Sequence, residues 1–214
     1  PGFPAEAREE FAAKANIRVL ATGPWSGPAG GMDLKRVGGG LLVQDRVHDA
    51  LMDKVAAIAR DIVPGDPRDP GTKLGALVDD AQKQRVLDYI RVGRDEGARV
   101  TLGGREARPV SGGSYVEPTI FDDVAPNMRI AQEEIFGPVL ATLTFRDIEE
   151  AIRVGNATVY GLAASVWTKD IDTAHRMGKA LRAGNVWINC WDGGDVGTPF
   201  GGYKQSGFGR DKSL

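Results

Sequence analysis

From Leu41 onward, apolar positions switch repeatedly between two spacings. Leu41-Leu42-Val43 is a short unbroken apolar run, the pattern of a buried strand. Val47, Leu51, Val55, Ile58 and Ile62 then recur at steps of three and four. They mark one face of a helix that Asp45 can cap and Pro64-Gly65 ends. Residues 65–75 read as a loop, because two prolines and three glycines break either period. Asp79 and Gln82 are spaced as a capping box for a second helix, with Val86, Leu87 and Ile90 facing inward and Gly97 at its stop. Strands are expected at 98–104, 115–121, 139–145, 162–168 and 185–189, the first two joined by a glycine-rich turn. Helices are expected at 127–134, 147–154 and 170–181, with Gly184 ending the last. Strands separated by helices require crossover connections, so the expected class is α/β with a mainly parallel sheet.

Residues 1–40 do not share this rhythm. A short helix can span 5–14 and a short apolar strand 17–21, but GPWSGPAGG (23–31) has no period and many breakers. Residues 22–40 therefore read as loop, and 1–40 as an irregular leader to one domain at 41–214. Composition sharpens this division. Of 29 glycines, 8 lie in residues 1–40 and 7 in residues 193–209.

Charge excludes several classes. With 27 basic and 29 acidic side chains, the chain has a formal charge of −2 and a pI near 5.8. That is not the footprint of a nucleic-acid binder. No apolar run reaches the roughly 18 residues of a membrane span, and the N-terminus lacks a basic-then-apolar signal. A cytoplasmic location is the expectation. Cys190 is the only cysteine, so no intramolecular disulfide forms. With His48 and His175 it lacks zinc-ligand spacing, and no metal site is expected. Both histidines fall on expected helices without a partner serine and read as solvated or packing residues.

Two segments carry candidate chemistry. In AQEEIFGPVL (131–140) a carboxylate pair precedes an aromatic ring and Gly137-Pro138. A carboxylate there can accept both hydroxyls of a ribose, and the ring can pack on a flat cofactor. An ordinary helix-to-strand corner with a buried Phe136 has the same composition. In TPFGGYKQSGFGR (198–210) four glycines permit close backbone approach, yet Lys204 lies between Tyr203 and Gln205 and breaks the phosphate-loop pattern. A long surface turn is the alternative there.

Together these segments resemble the aldehyde dehydrogenase superfamily. EEIFGPV (133–139), YGLAASVWT (160–168), NVWINC (185–190) and PFGGYKQSGFGRD (199–211) are similar to its catalytic-domain signatures, in the family's order. LLVQDRVHDALMDKV (41–55), GDPRDPGTKLGALVDDAQ (65–82) and EPTIF (117–121) fit as well. WDGGD and GRDKSL are most similar to the branch that oxidises ω-amino and γ-glutamylamino aldehydes. The resemblance implies a three-layer α/β sandwich with a mainly parallel sheet and NAD as cofactor. The choice between NAD and NADP is left to a domain these residues do not match. It implies cofactor roles for Glu134 on ribose hydroxyls and Phe136 against the nicotinamide. For a small-molecule aldehyde it implies Asn189, Trp191, Asp192, Asp195 and Phe200.

The family's nucleophilic cysteine maps to Lys35, and residues 1–40 match neither its general-base glutamate nor its dinucleotide-binding domain. The implied picture is a truncated catalytic-domain portion, inactive alone, without the terminal strand through which the family oligomerises. A non-catalytic interaction or structural protein of the same fold is the alternative. Acyl transfer through Cys190 is a weaker one, because Asp192 beside it opposes thiolate formation.

Overall fold

The computed structural model describes residues 19–22, 40–107, 112–191, 193–194 and 197–212. Lys35, Asp192 and Asp195 lie outside the described residues. Strands β1 (Val19–Thr22) and β2 (Gly40–Gln44) precede helices α1 (His48–Arg60) and α2 (Asp80–Asp95). Next come β3 (Arg99–Leu102), β4 (Glu106–Ala107), β5 (Tyr115–Val116), β6 (Thr119–Asp122), α3 (Arg129–Gln132) and β7 (Val139–Phe145). The chain continues through α4 (Ile148–Gly155), β8 (Tyr160–Gly161), β9 (Ala163–Trp167), α5 (Ile171–Ala180), β10 (Asn185–Ile188) and β11 (Tyr203–Lys204).

Seven strands form one sheet in the order β10-β9-β1-β2-β7-β6-β3. The pairs β9/β10, β2/β7 and β6/β7 are parallel, whereas β1 is antiparallel to both β2 and β9, and β3 to β6. Five strands therefore point one way and two the other, the mainly parallel sheet that crossover helices require. The expected strand at 17–21 is β1, shifted to 19–22, and it sits between β9 and β2.

Strand residues alternate between two apolar layers. Leu41, Val43, Ile120 and Leu140 pack with Leu51, Met52, Val55 and Ala59 of α1 on one face. On the other face Leu42, Phe121, Val139, Ala141, Leu143 and Phe145 pack with residues of the remaining helices, Val86, Ile90, Ile130, Ala151 and Met177 among them. Helix, sheet and helices make three layers, as a sheet buried on both faces demands. No helix among the described residues is long and apolar enough to cross a membrane.

Several local expectations change for physical reasons. Asp45 does not cap α1: its carboxylate accepts from Arg46 N at 2.7 Å and opens a 3-10 turn, so the helix starts at His48 without a side-chain cap. The expected strand 115–121 is two, because Pro118 has no N–H to continue the ladder. The helix expected at 127–134 is one turn, α3, since Glu133 is already extended. Asp79, Asp147 and Asp170 do cap α2, α4 and α5.

His48 is neither solvated nor merely packed. Its Nε2 meets Asp122 Oδ1 and its Nδ1 meets Asp49 Oδ1, both at 2.8 Å, and Arg99 holds the second Asp122 oxygen. Burial pulls the His48 pKa down, but the hydrogen bonds its ring donates to Asp49 and Asp122 outweigh it and the net shift is upward. A raised folded pKa stabilises fully below the unfolded value of about 6.5 and loses that contribution as pH rises through the folded value. Thermal unfolding followed from about pH 5.5 to about pH 8.5 should show this alkaline loss, and His48→Gln should remove it.

Candidate functional site

Parallel pairing of β2 with β7 brings the chain entering each strand to one edge of the sheet. Gly40 opens β2 there, and residues 133–138 lead into β7. A small cleft of about 50 Å³ opens at this edge, lined among others by Gly40, Gln132, Glu134, Tyr160 and Arg182.

The two adjacent carboxylates have separate roles. Glu133 takes a fork from Arg129, Nε to Oε1 and Nη2 to Oε2, both at 2.9 Å, and a third bond from Tyr89 OH at 2.7 Å. The Arg129 guanidinium and then the Tyr89 hydroxyl hold its pKa down at about 2. Glu134 lines the cleft, half-buried, and its carboxylate makes no hydrogen bond or ion pair to another described residue. Desolvation pushes its pKa up, with Arg85 opposing. A half-buried carboxylate with open acceptor positions is suited to a ligand that brings hydroxyl donors.

Phe136 is 55% exposed, where an ordinary corner would bury it. Its φ is +54°, a left-handed conformation that costs a bulky L-residue about 1–3 kcal/mol and persists only where its surroundings fix it. Gln82 supplies that fixation: its side-chain Nε2 donates to Ile135 O at 3.1 Å and Phe136 O at 3.0 Å. The expected capping box is therefore only half formed, since the Gln82 side chain goes to this loop and not back to Asp79. Arg85 Nη2 reaches Glu134 O at 3.4 Å. Beside them Gly137 packs on Val86, where a Cβ would lie 2.5 Å from Val86 Cγ2.

The expected substrate residues are divided between two places. Phe200 stands at the same edge as Glu134, because Asn185 Nδ2, at the start of β10, donates to Pro199 O. Phe200 also exchanges backbone hydrogen bonds with Asp211, at 2.9 and 2.7 Å, which closes the glycine-rich segment into a strap. Tyr203-Lys204 pairs with β8, and Lys204 Nζ donates to Asn156 O and Thr158 O. Asn189 follows the other end of β10. Both atoms of its side-chain amide bind the Thr168 backbone, so it shapes the turn that carries Cys190 and Trp191. Trp191 folds back on Trp187 with ring centroids 5.2 Å apart. Cys190 is exposed, and its carbonyl accepts from Ser165 Oγ.

Sequence reasoning missed Gln82, Arg85 and Tyr89 as partners of the 133–136 segment. Their signal is the spacing 82, 85, 86, 89, which puts three polar side chains on the same helical face as Val86.

Residues 38–214 match the Aldehyde dehydrogenase family. The aminoacetaldehyde dehydrogenase of Pseudomonas aeruginosa is 47% identical over 175 residues, 81% of this chain and 34% of the relative. Among solved structures, the P. syringae indole-3-acetaldehyde dehydrogenase AldA, a mutant in complex with NAD+ and IAA, is 54% identical with a TM-score of 0.80. The match covers 83% of this chain and 36% of that one. The gamma-glutamyl-gamma-aminobutyraldehyde dehydrogenase of Burkholderia cenocepacia J2315 is 53% identical with a TM-score of 0.79, over 84% and 36%. The chain spans about a third of the length of the curated relatives it matches.

The Gly137–Val86 contact yields a stability prediction. Gly137→Ala should destabilise the chain by about 1–3 kcal/mol in urea unfolding, and Val86→Ala in the same chain should recover part of that loss relative to Val86→Ala alone.

Proposed function

The chain belongs to the aldehyde dehydrogenase family, and on that premise we propose that residues 41–214 form the catalytic-domain part of an NAD-dependent oxidoreductase of aldehydes. The open carboxylate of Glu134, set apart from its locked neighbour Glu133, carries this reading. A ribose diol supplies the two hydroxyl donors that Glu134 lacks, and the exposed Phe136 ring offers a flat face to nicotinamide. These residues fit NAD+, which the AldA structure holds. NAD, when bound, supplies the acceptor for the aldehyde's hydride. This chain's own residues hold the ribose at Glu134 and shield one ring face at Phe136.

For the substrate the proposal is an amino-aldehyde. Two relatives named for such substrates support it. Phe200 supplies aromatic surface at the Glu134 end of the sheet, and Asn189 fixes the separate turn that carries Trp191 at the other end. A distal ammonium gains about 0.5–2 kcal/mol over an indole face such as that of Trp191. Asp192 and Asp195 complete the proposal by their negative charge.

The 214-residue polypeptide by itself is read as non-catalytic. Its only thiol is Cys190, and the position that resembles the family's nucleophile carries Lys35. NAD-linked oxidation of aldehydes should therefore not exceed a heat-treated control, and Cys190→Ser should change nothing.

The cofactor reading is tested by titrating the chain with nicotinamide mononucleotide, observed by NMR. Binding should need Glu134 as the carboxylate, so affinity should fall as pH drops through its raised pKa. Glu134→Gln should weaken binding roughly tenfold, the loss of a charge-assisted hydrogen bond, and should remove the acid dependence. Equal affinity in the two proteins at neutral pH overturns the reading.

A further inference from the structure

Helix α2 meets the segment entering β7 through one face, and that contact is unusually complete. Three successive carbonyls, of Glu134, Ile135 and Phe136, each accept from an α2 side chain: Arg85 to the first, Gln82 to the second and third. Tyr89 OH holds the Glu133 carboxylate at 2.7 Å, and Val86 closes against Gly137. Gln82 itself is held in place, since its backbone N–H donates to Asp79 Oδ1 at 2.7 Å and fixes the start of the helix. Its side chain is thus aimed from a rigid element and uses its amide nitrogen on two carbonyls of the loop.

This geometry has a consequence at Phe136. Phe136 is left-handed and 55% exposed, so burial of its ring does not by itself account for this conformation. Two adjacent carbonyls turned toward one donor define the peptide planes on both sides of its Cα, and hence its φ and ψ. We infer that Gln82 is a positioning residue: by bonding Ile135 O and Phe136 O it locks the 134–137 segment in the one conformation that presents the Phe136 ring and leaves the Glu134 carboxylate open. The functional half of this inference rests on the cofactor reading above, and the conformational half does not.

The test uses the 214-residue chain and three variants. Gln82→Ala removes the donor. Gln82→Glu keeps the shape, suits a helix first turn, and sets an acceptor against the two carbonyls. Gln82→Lys restores a donor of similar reach. Amide exchange by NMR at residues 135–137 should be about tenfold faster or more in the Ala and Glu variants, near wild type in Lys, and unchanged within α1 and β9 in all three. Nicotinamide mononucleotide should bind the Ala and Glu variants about fivefold more weakly, with the Lys variant near wild type.

Unaltered exchange at 135–137 in Gln82→Glu overturns the inference. So does equal nucleotide affinity in wild type and Gln82→Glu, and in that case the cofactor reading stands. If wild type binds no nucleotide, the cofactor reading falls together with the presentation role, and the exchange data alone decide whether Gln82 locks the segment. Should Gln82→Ala fail to fold, the Glu and Lys pair carries the comparison.

Discussion

Parallel pairing of β2 with β7, residue for residue from Gly40↔Ala141 to Gln44↔Phe145, is the constraint on which the rest of the molecule turns. Both strands lie inside the sheet, bonded on both edges and covered on both faces. A one-residue slip would send Leu41 and Val43 to the wrong apolar layer and Leu42 to the other, so the register is fixed by burial. Because the strands are parallel, the chain must approach both from the same edge, and everything that enters there is brought together. Gly40, Glu134, Phe136 and the strap at 199–211 share that edge for this reason. Open α/β sheets usually bind ligands beyond the carboxyl ends of their strands, where crossover helices begin. Here the approach segments gather Glu134 and Phe136 at the amino ends, and helix α2 reaches them sideways through its polar side chains.

Close approach of backbone makes that edge possible. Gly184 precedes β10, and a side chain there would collide with Gly201 O, so the strap lies directly on the start of the strand. Arg210 then donates to the carbonyls of Gly202, Phe208 and Gly209 and stacks on Tyr203 at 5.0 Å. A segment with four glycines in thirteen residues is held by hydrogen bonds to its own backbone, where larger side chains would have held it by apolar packing.

Much of this was legible from residue spacing. The alternation of apolar runs with three-and-four spacing gave the strands, the helices and their order, and the chain's own apolar residues assign each strand to its layers. Local competition escaped that reading. Asp45 has an equally good partner in the next backbone N–H, Pro118 divides a run that hydropathy leaves whole, and the Gln82 side chain prefers a loop 53 residues away to its own helix cap. The glycine-rich strap reads as a surface turn because its partners, Asn185 and Asp211, carry no periodic signal. At the candidate site the motif gave Glu134 and Phe136, but the structure supplies the reason that Glu134 and not Glu133 stays open.

That reason is itself partly written in the sequence. Arg129 precedes Glu133 by four residues, the spacing at which an arginine and a carboxylate meet on a helical turn, and Tyr89 arrives from α2 to complete the cage. Glu134 is one residue further on, past the end of α3, where the chain is extended and the next side chain points away. Two neighbouring carboxylates are thereby driven apart: one is held low by a guanidinium and a phenol, the other is raised by desolvation. Had both been paired, the edge would hold two inert ion pairs. Had both been open, repulsion between like charges would have raised one of them further and loosened the corner. Locking the first carboxylate into the framework leaves the second half-buried, facing the cleft with its acceptor positions open.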